Sequence, residues 1–145
     1  MADAQEVGAP WVEAFNAHDE GRMRELTADD AVIEAPGDVR LEGGDATVGY
    51  AMAWVNAFPD ARIDVHDEHV AGDWVVHEFV FSGTHTAPLQ SPTGEIPATN
   101  RSLSGRGVEI FRVQDGAVAE TRLYYDQVDV MTQLGLMPEP SAATA

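Results

Sequence analysis

The chain has 145 residues, a formal net charge of −17 and no cysteine. It carries 25 acidic side chains against 8 basic ones, all of them arginine, and such a charge repels phosphate backbones and anionic lipid. The lack of cysteine excludes disulfides, thiolate nucleophiles and cysteine-ligated zinc. We therefore expect no nucleic-acid partner and no membrane-surface role.

The length is that of one domain, and no run approaches the roughly 18 apolar residues that a membrane helix needs. The N-terminal residues have no basic stretch followed by an apolar core, so no targeting segment is predicted. We expect a soluble, cytoplasmic protein with one domain over residues 1–137. The last residues, 138–145, have little to bury and are predicted to form a flexible tail.

The first part of the chain carries helical patterns. Apolar residues recur at helical spacing over residues 7–17, and Asp19 is the expected N-cap of a second helix. The segment TADD that follows is predicted as a turn, and AVIEAPG as a short strand. A third helix carries Tyr50 and Trp54 among apolar residues that cover most of its circumference, which predicts burial on more than one side.

From Ala61 onward the apolar period changes to two, which predicts long strands. These strands form two pairs, and Asp115-Gly116 between the last two is the strongest hairpin signal in the sequence. Helices followed by antiparallel strands are typical of an α+β domain in which the helices cover one face of a curved sheet.

The turn at Asp115-Gly116 also predicts which side chains meet in the last hairpin. If Gln114 faces Ala117, each step outward pairs one residue from each strand. Three of the resulting pairs are Glu109 with Arg122, Gly107 with Tyr124, and Gly105 with Asp126. On this register Glu109, Arg122, Tyr124 and Asp126 share one face of the sheet.

Two interpretations of that face stay open. Glu109 and Arg122 would form an ion pair in water, worth a fraction of a kcal/mol, or the face would form the polar wall of a pocket. The glycines favour the pocket, because Gly105 and Gly107 would leave space for a ligand above Asp126.

His85 is a second candidate functional residue, since it stands at a strand end before a proline-containing loop. Other motifs are missing from the sequence. There is no G-x-S-x-G elbow for a serine hydrolase and no glycine-rich loop for a nucleotide cofactor. His66, His69 and His77 lack the spacing of a metal site.

Seven segments occur in a characteristic order between residues 11 and 137: FNAHD, AFPDARIDV, SGTHTAP, SPTG, GVEIFRVQDG, AETRLYYD and MTQLGL. The ordered set resembles the SnoaL-like polyketide cyclases, also called ester cyclases. The resemblance implies the α+β cone of nuclear transport factor two and ketosteroid isomerase. In that cone three N-terminal helices pack on a strongly curved antiparallel sheet that encloses a deep, mostly apolar pocket.

The resemblance also implies a reaction, namely a cofactor-free intramolecular aldol ring closure with one aspartate on the last strand as the acid/base. Asp126 matches that aspartate by position. A buried carboxylate with a raised pKa can remove a carbon-bound proton and return it to the new alkoxide. His85 is predicted to assist this chemistry. The predicted substrate-binding residues are Arg122, Tyr124, Glu109, Tyr50, Trp54 and Phe15.

The partner of Arg122 stays open. Beside Asp126 it would lower the pKa of that acid, unless Arg122 forms an ion pair with Glu109 instead.

Two other functions remain. One is a non-catalytic protein that binds a small apolar molecule in the same central cavity, and the other is an epoxide hydrolase that uses acids and an arginine. We also expect a homodimer through the outer face of the sheet, with apolar surface from Ile110, Leu123 and Tyr125.

Overall fold

The computed structural model describes residues 4–91 and 94–137; the predicted tail at 138–145 lies outside the described residues. The four helices are α1 (Ala4–Asn16), α2 (Glu20–Glu25), α3 (Gly44–Ala57) and α4 (Gln127–Gln133). The eight strands are β1 (Thr27–Ala35), β2 (Val39–Glu42), β3 (Arg62–Ala71), β4 (Trp74–Thr84), β5 (Leu89–Ser91), β6 (Gly94–Ile96), β7 (Ser102–Gln114) and β8 (Ala117–Tyr125). Within these ranges no helix is both long and apolar enough to cross a membrane.

Six strands form one curled, mixed sheet in the order β2-β1-β8-β7-β4-β3, and β5 pairs with β6 apart from it. The fold is therefore α+β, as predicted. The prediction of a purely antiparallel sheet was wrong, because β1 runs parallel to β8. The prediction of three N-terminal helices was incomplete, since α4 follows the last strand and β1 and β2 precede α3.

The parallel pairing arises because TADD begins β1 and is not a turn. Thr27 leaves α2 directly into the strand, and its hydroxyl donates to the Met23 carbonyl at 2.7 Å and accepts from Trp11 Nε1 at 3.2 Å. The amide of Val118 in β8 donates to the Leu26 carbonyl at 2.8 Å. These bonds bring the chain alongside β8 as soon as α2 ends.

The predicted N-cap of α2 is confirmed, with Asp19 accepting from the Arg22 amide at 2.9 Å.

Helices α1 and α3 lie against the inner face of the sheet. From α1, Trp11 contacts Phe15 at 6.2 Å between ring centroids and Phe111 of β7 at 5.4 Å. From α3, Trp54 contacts Phe81 of β4 at 5.5 Å. Aromatic pairs at these distances add about 0.5–1.5 kcal/mol each beyond the area that they bury. The core therefore lies between these two helices and the inner face.

The hairpin turn at Asp115-Gly116 is confirmed. Both residues have positive φ, 53° and 76°, and Gln114 pairs with Ala117. Val113 then pairs with Val118, but Arg112 pairs with Glu120, so that Ala119 is an extra residue on β8. An extra residue on one strand is a β-bulge.

The bulge overturns the predicted register beyond it. Glu109 pairs with Leu123 and Arg122 pairs with Ile110. A shift of one residue moves every later side chain of a strand to the other face, because side chains alternate with a period of two. Thr121 is therefore buried on the inner side, whereas Tyr124 is 54% exposed.

Candidate active site

A cavity of about 80 Å³ lies between the two covering helices and the inner face of the sheet. This volume is about half that of an apolar cavity of roughly 150 Å³ that binds benzene. Its walls are mostly aromatic and aliphatic. The aromatic side chains around it are Trp11, Phe15, Tyr50, Trp54, Phe79, Phe81 and Tyr125.

Glu109 is the one carboxyl group among the described residues that line this cavity. It stands on β7, is 5% exposed, and faces Leu123 across the strand pair. Its Oε2 atom is buried and has no hydrogen-bond partner in the described part of the chain. Burial raises the pKa of Glu109 from the ordinary value of 4.5 to about 8. The carboxyl group is therefore protonated at neutral pH.

Two tyrosines line the same cavity, and their hydroxyl groups interact with each other. Tyr50 comes from α3 and Tyr125 from the end of β8, and both line the cavity. Burial raises the pKa of Tyr50, and the neighbouring hydroxyl of Tyr125 raises it further. Burial also raises the pKa of Tyr125. Both groups are therefore neutral O–H groups at neutral pH, able to donate hydrogen bonds.

Arg122 and Tyr124 lie on the outer face of the sheet, so the prediction that they face the cavity was wrong. The bulge at Ala119 is the reason. The Arg122 Nε donates to Glu120 Oε2 at 2.6 Å, and the guanidinium lies 5.0 Å from the centroid of the Trp74 ring. Arg122 is thus committed to these two side chains, and it pairs with neither Glu109 nor Asp126.

Asp126 follows β8 and is the N-cap of α4. Its Oδ1 accepts a hydrogen bond from the Asp129 amide at 3.0 Å, and the side chain is exposed. It is not among the residues described around the inner cavity, so the prediction that it faces the cavity beside Arg122 was wrong. Gly107 leaves no space for a ligand, because a Cβ there would lie 2.5 Å from the Phe79 ring, whereas a Cβ on Gly105 would have only ordinary contacts at 3.9 Å.

His85 is fully buried but stands away from the described cavity wall. Its ring stacks on Phe58 with 5.0 Å between centroids. The Thr99 amide donates to Nδ1 at 3.3 Å, which requires a lone pair on that nitrogen, and burial lowers the pKa of the imidazole. His85 is therefore neutral and ties the end of β4 to the segment that leads into β7.

The structure brings four of the predicted site residues together around the cavity: Phe15, Tyr50, Trp54 and Glu109. Sequence reasoning missed Thr121 and Tyr125, which the bulge moves to the inner face. The signal for them is weak. In the sequence, Ala117, Val118 and Ala119 are consecutive apolar residues, which breaks the alternation expected of a strand with one buried face.

Comparison with known proteins agrees with this fold. The family model of the SnoaL-like polyketide cyclases matches residues 6–134. The nogalonic acid methyl ester cyclase of Streptomyces nogalater is 27% identical over 126 residues, which cover 86% of this chain and 91% of that protein.

Two crystal structures are similar to the whole domain. One, from Jannaschia sp. CCS1, is described as a SnoaL-like polyketide cyclase and matches with a TM-score of 0.81 at 22% identity over 93% of each chain. The other is IdmH from Streptomyces antibioticus, described as a polyketide cyclase, with a TM-score of 0.75 at 29% identity over 92% of this chain and 99% of that one. The chain belongs to the SnoaL-like polyketide cyclase family.

Proposed function

We propose that this protein is a cofactor-independent, cyclase-like enzyme that transfers protons on a carbonyl compound, with Glu109 as its acid/base. The observation that carries the proposal is a single carboxyl group, buried and without a hydrogen-bond partner in the described chain, in the wall of an apolar cavity. Its carboxylate form would take a proton from a carbon flanked by carbonyl groups. Its acid form would return that proton to the alkoxide after ring closure.

An enolate formed next to Glu109 needs hydrogen-bond donors at its oxygen. The hydroxyl groups of Tyr50 and Tyr125 are the candidates, since both line the cavity and both have raised pKa values. A neutral phenol in a water-poor site donates to an oxyanion without itself losing the proton.

The shape of the cavity supports a substrate with an apolar ring. The space of about 80 Å³ is about half that of a cavity that binds benzene, so a mid-sized substrate would extend beyond it. The relative from Streptomyces nogalater is named for the methyl ester of nogalonic acid. A mid-sized polyketide ester, with the reacting ring beside Glu109, is therefore the substrate class that we propose.

The other two functions differ in what they require. A binding protein would hold the same apolar ligand without turnover, and Glu109 would only orient it. An epoxide hydrolase would need Arg122 close to Glu109, yet the two side chains lie on opposite faces of the sheet. The geometry thus disfavours an epoxide hydrolase that would use Arg122 together with Glu109.

The outer face of the sheet supports a homodimer, which we also propose. Its apolar side chains are half-buried in one chain: Trp74, Val76, Val80, Val108 and Ile110. Leu123 and Tyr125, which were expected there, lie on the inner side and contribute nothing to it. A second copy would cover this row of apolar groups.

The experiment is an assay of nogalonic acid methyl ester in D₂O with three proteins, namely the wild type, Glu109→Gln and Asp126→Asn. Incorporation of deuterium at the acidic carbon reports proton transfer even where ring closure is slow. The proposal expects exchange by the wild type and by Asp126→Asn, with a loss in Glu109→Gln. Binding of the ester without exchange in the wild type would favour the non-catalytic alternative.

A further inference from the structure

Three side chains form a row across three neighbouring strands on the inner face. Glu68 of β3 pairs with His77 of β4, and His77 pairs with Glu109 of β7. Directly opposite residues of antiparallel strands have Cβ atoms about 4.5–5.5 Å apart. The row therefore places an imidazole between two carboxyl groups, one of which is the acid of the cavity.

On one side, the His77 imidazole forms a hydrogen bond with Glu68. His77 Nε2 lies 2.8 Å from Glu68 Oε2, with the His77 side chain 1% exposed and that of Glu68 24% exposed. Gln5 of α1 donates to the other oxygen of Glu68 at 2.8 Å. Because Nε2 donates to a carboxylate, Nδ1 of the neutral imidazole carries a lone pair.

Two other polar atoms of this row lack a hydrogen-bond partner in the described residues. Nδ1 of His77 and Oε2 of Glu109 are both buried, and neither has a hydrogen-bond partner in the described residues. Such atoms are rare in folded proteins, because a buried polar atom without a partner has lost its hydrogen bonds to water. A protonated carboxyl group is a donor and a neutral Nδ1 is an acceptor, so a rotation of the Glu109 side chain would satisfy both.

We propose that His77 takes up the proton of Glu109 at Nδ1 while Glu68 stabilises the resulting imidazolium, which leaves Glu109 as a carboxylate able to act as a base. This inference rests on the proposed role of Glu109. The step breaks the O–H bond of Glu109 and forms the N–H bond at Nδ1, while Nε2–H stays directed at Glu68. His77 does not touch the substrate and is a positioning residue.

The surroundings of the ring allow this transfer. The groups that face His77 are Glu68 from β3, Glu109 and Phe111 from β7, and Gly8 from α1. The two carboxyl groups are the titratable members of this set. An imidazolium between them would gain an attraction from Glu68 and would lower the pKa of Glu109.

The test is a pH titration of the Glu109 carboxyl carbon by NMR in protein labelled with ¹³C at glutamate, without substrate. Its signal is identified by its loss in Glu109→Gln. His77→Gln retains a donor toward Glu68 but removes the proton acceptor at Nδ1. In this variant the midpoint of Glu109 should rise by about 1 pH unit or more. Glu68→Gln should shift it in the same direction by less, because the imidazolium loses its counter-ion.

The matched control is His69→Gln, on the same strand pair. His69 Nε2 lies 2.8 Å from Glu78 Oε2, but that pair stands on the outer face, with the His69 side chain 61% exposed. This variant should leave the midpoint of Glu109 unchanged. Equal midpoints in the wild type, His77→Gln and Glu68→Gln would overturn the inference. If His77→Gln fails to fold, the midpoint of Glu109 in Glu68→Gln decides: a rise supports the inference, and an unchanged midpoint overturns it.

This readout separates the two proposals because it needs no turnover. Retained exchange in Glu109→Gln would reject Glu109 as the acid/base, even if the titrations of His77 and Glu109 are coupled. If exchange is lost in Glu109→Gln but the midpoint of Glu109 is unchanged in His77→Gln and Glu68→Gln, the proton transfer to His77 is rejected. The role of Glu109 as the acid/base then stands.

Discussion

Glu109 and Arg122 lie on opposite faces of the same two-stranded hairpin, although the turn that joins the strands would by itself place them face to face. The extra residue at Ala119 causes the difference. Its chemical consequence is large, because a guanidinium beside Glu109 would hold that carboxylate ionised. The bulge instead leaves an acid in an apolar cavity, where burial raises its pKa to about 8.

The first prediction concerns stability against pH. The folded-state pKa of Glu109 is raised, from 4.5 to about 8, so the folded protein holds a proton that the unfolded chain releases. The contribution of this group is fully present below about pH 4.5 and is lost as the pH rises toward about 8. Urea unfolding should show a decline on the order of a few kcal/mol across this window.

The control for that prediction is Glu109→Gln, which has no proton to release. Its free energy of unfolding should fall less than that of the wild type over the same pH range, whatever the other titrating groups contribute to both. Parallel curves for the two proteins would show that Glu109 is ionised in the folded state.

The second prediction concerns the contact between Phe79 and Gly107. Gly107→Ala would place a Cβ 2.5 Å from the Phe79 ring, so the ring must move in a packed core. We expect a loss of about 1–3 kcal/mol in the free energy of unfolding. Gly49→Ala is the matched change, since a Cβ at that exposed helical position meets nothing within 4 Å. It should stabilise the protein by about 0.5–1 kcal/mol, and equal effects at both sites would contradict the packing described here.

The third prediction concerns Asp126. As the N-cap of α4 it accepts from the Asp129 amide, so Asp126→Ala should lower stability by about 1 kcal/mol in a denaturant titration. Asp126→Asn keeps a capping oxygen and should cost far less. A destabilising Asp126→Asn with a neutral Asp126→Ala would be inconsistent with a capping role.

The fourth prediction concerns the proposed homodimer. Light scattering at micromolar concentration should give the mass of two chains, and Ile110→Asp on the outer face should give the mass of one. Val128→Asp is the control, because Val128 is 60% exposed on α4, away from that face. A monomeric wild type, or a dimer unaffected by Ile110→Asp, would refute this interface.

Much of the fold could be predicted from local chemistry. The cap at Asp19 and the turn at Asp115-Gly116 depend on side-chain and backbone preferences that act within a few residues. The aromatic residues Tyr50 and Trp54 occupy a helix with little polar surface, which predicts burial and therefore a place in the cavity wall.

The remainder of the site depends on events that local preference does not encode. No residue type specifies the bulge at Ala119, yet it decides the face of every later residue of β8. Because of that bulge, Leu123 and not Arg122 lies opposite Glu109. The bulge also places Tyr124 on the outer face, where it is exposed. The partners of His77 depend on the register of three strands at once, and the predicted hairpin at Asp115-Gly116 contains only one of those strands.

The measurement that tests the central claim most directly is the rate of deuterium incorporation from D₂O into nogalonic acid methyl ester by the wild type, Glu109→Gln and Asp126→Asn. We expect Glu109→Gln to lower this rate by about 10²-fold or more, the usual contribution of a general base. We expect Asp126→Asn to exchange at the wild-type rate. Loss of exchange in Asp126→Asn with full exchange in Glu109→Gln would contradict the role of Glu109 as the acid/base.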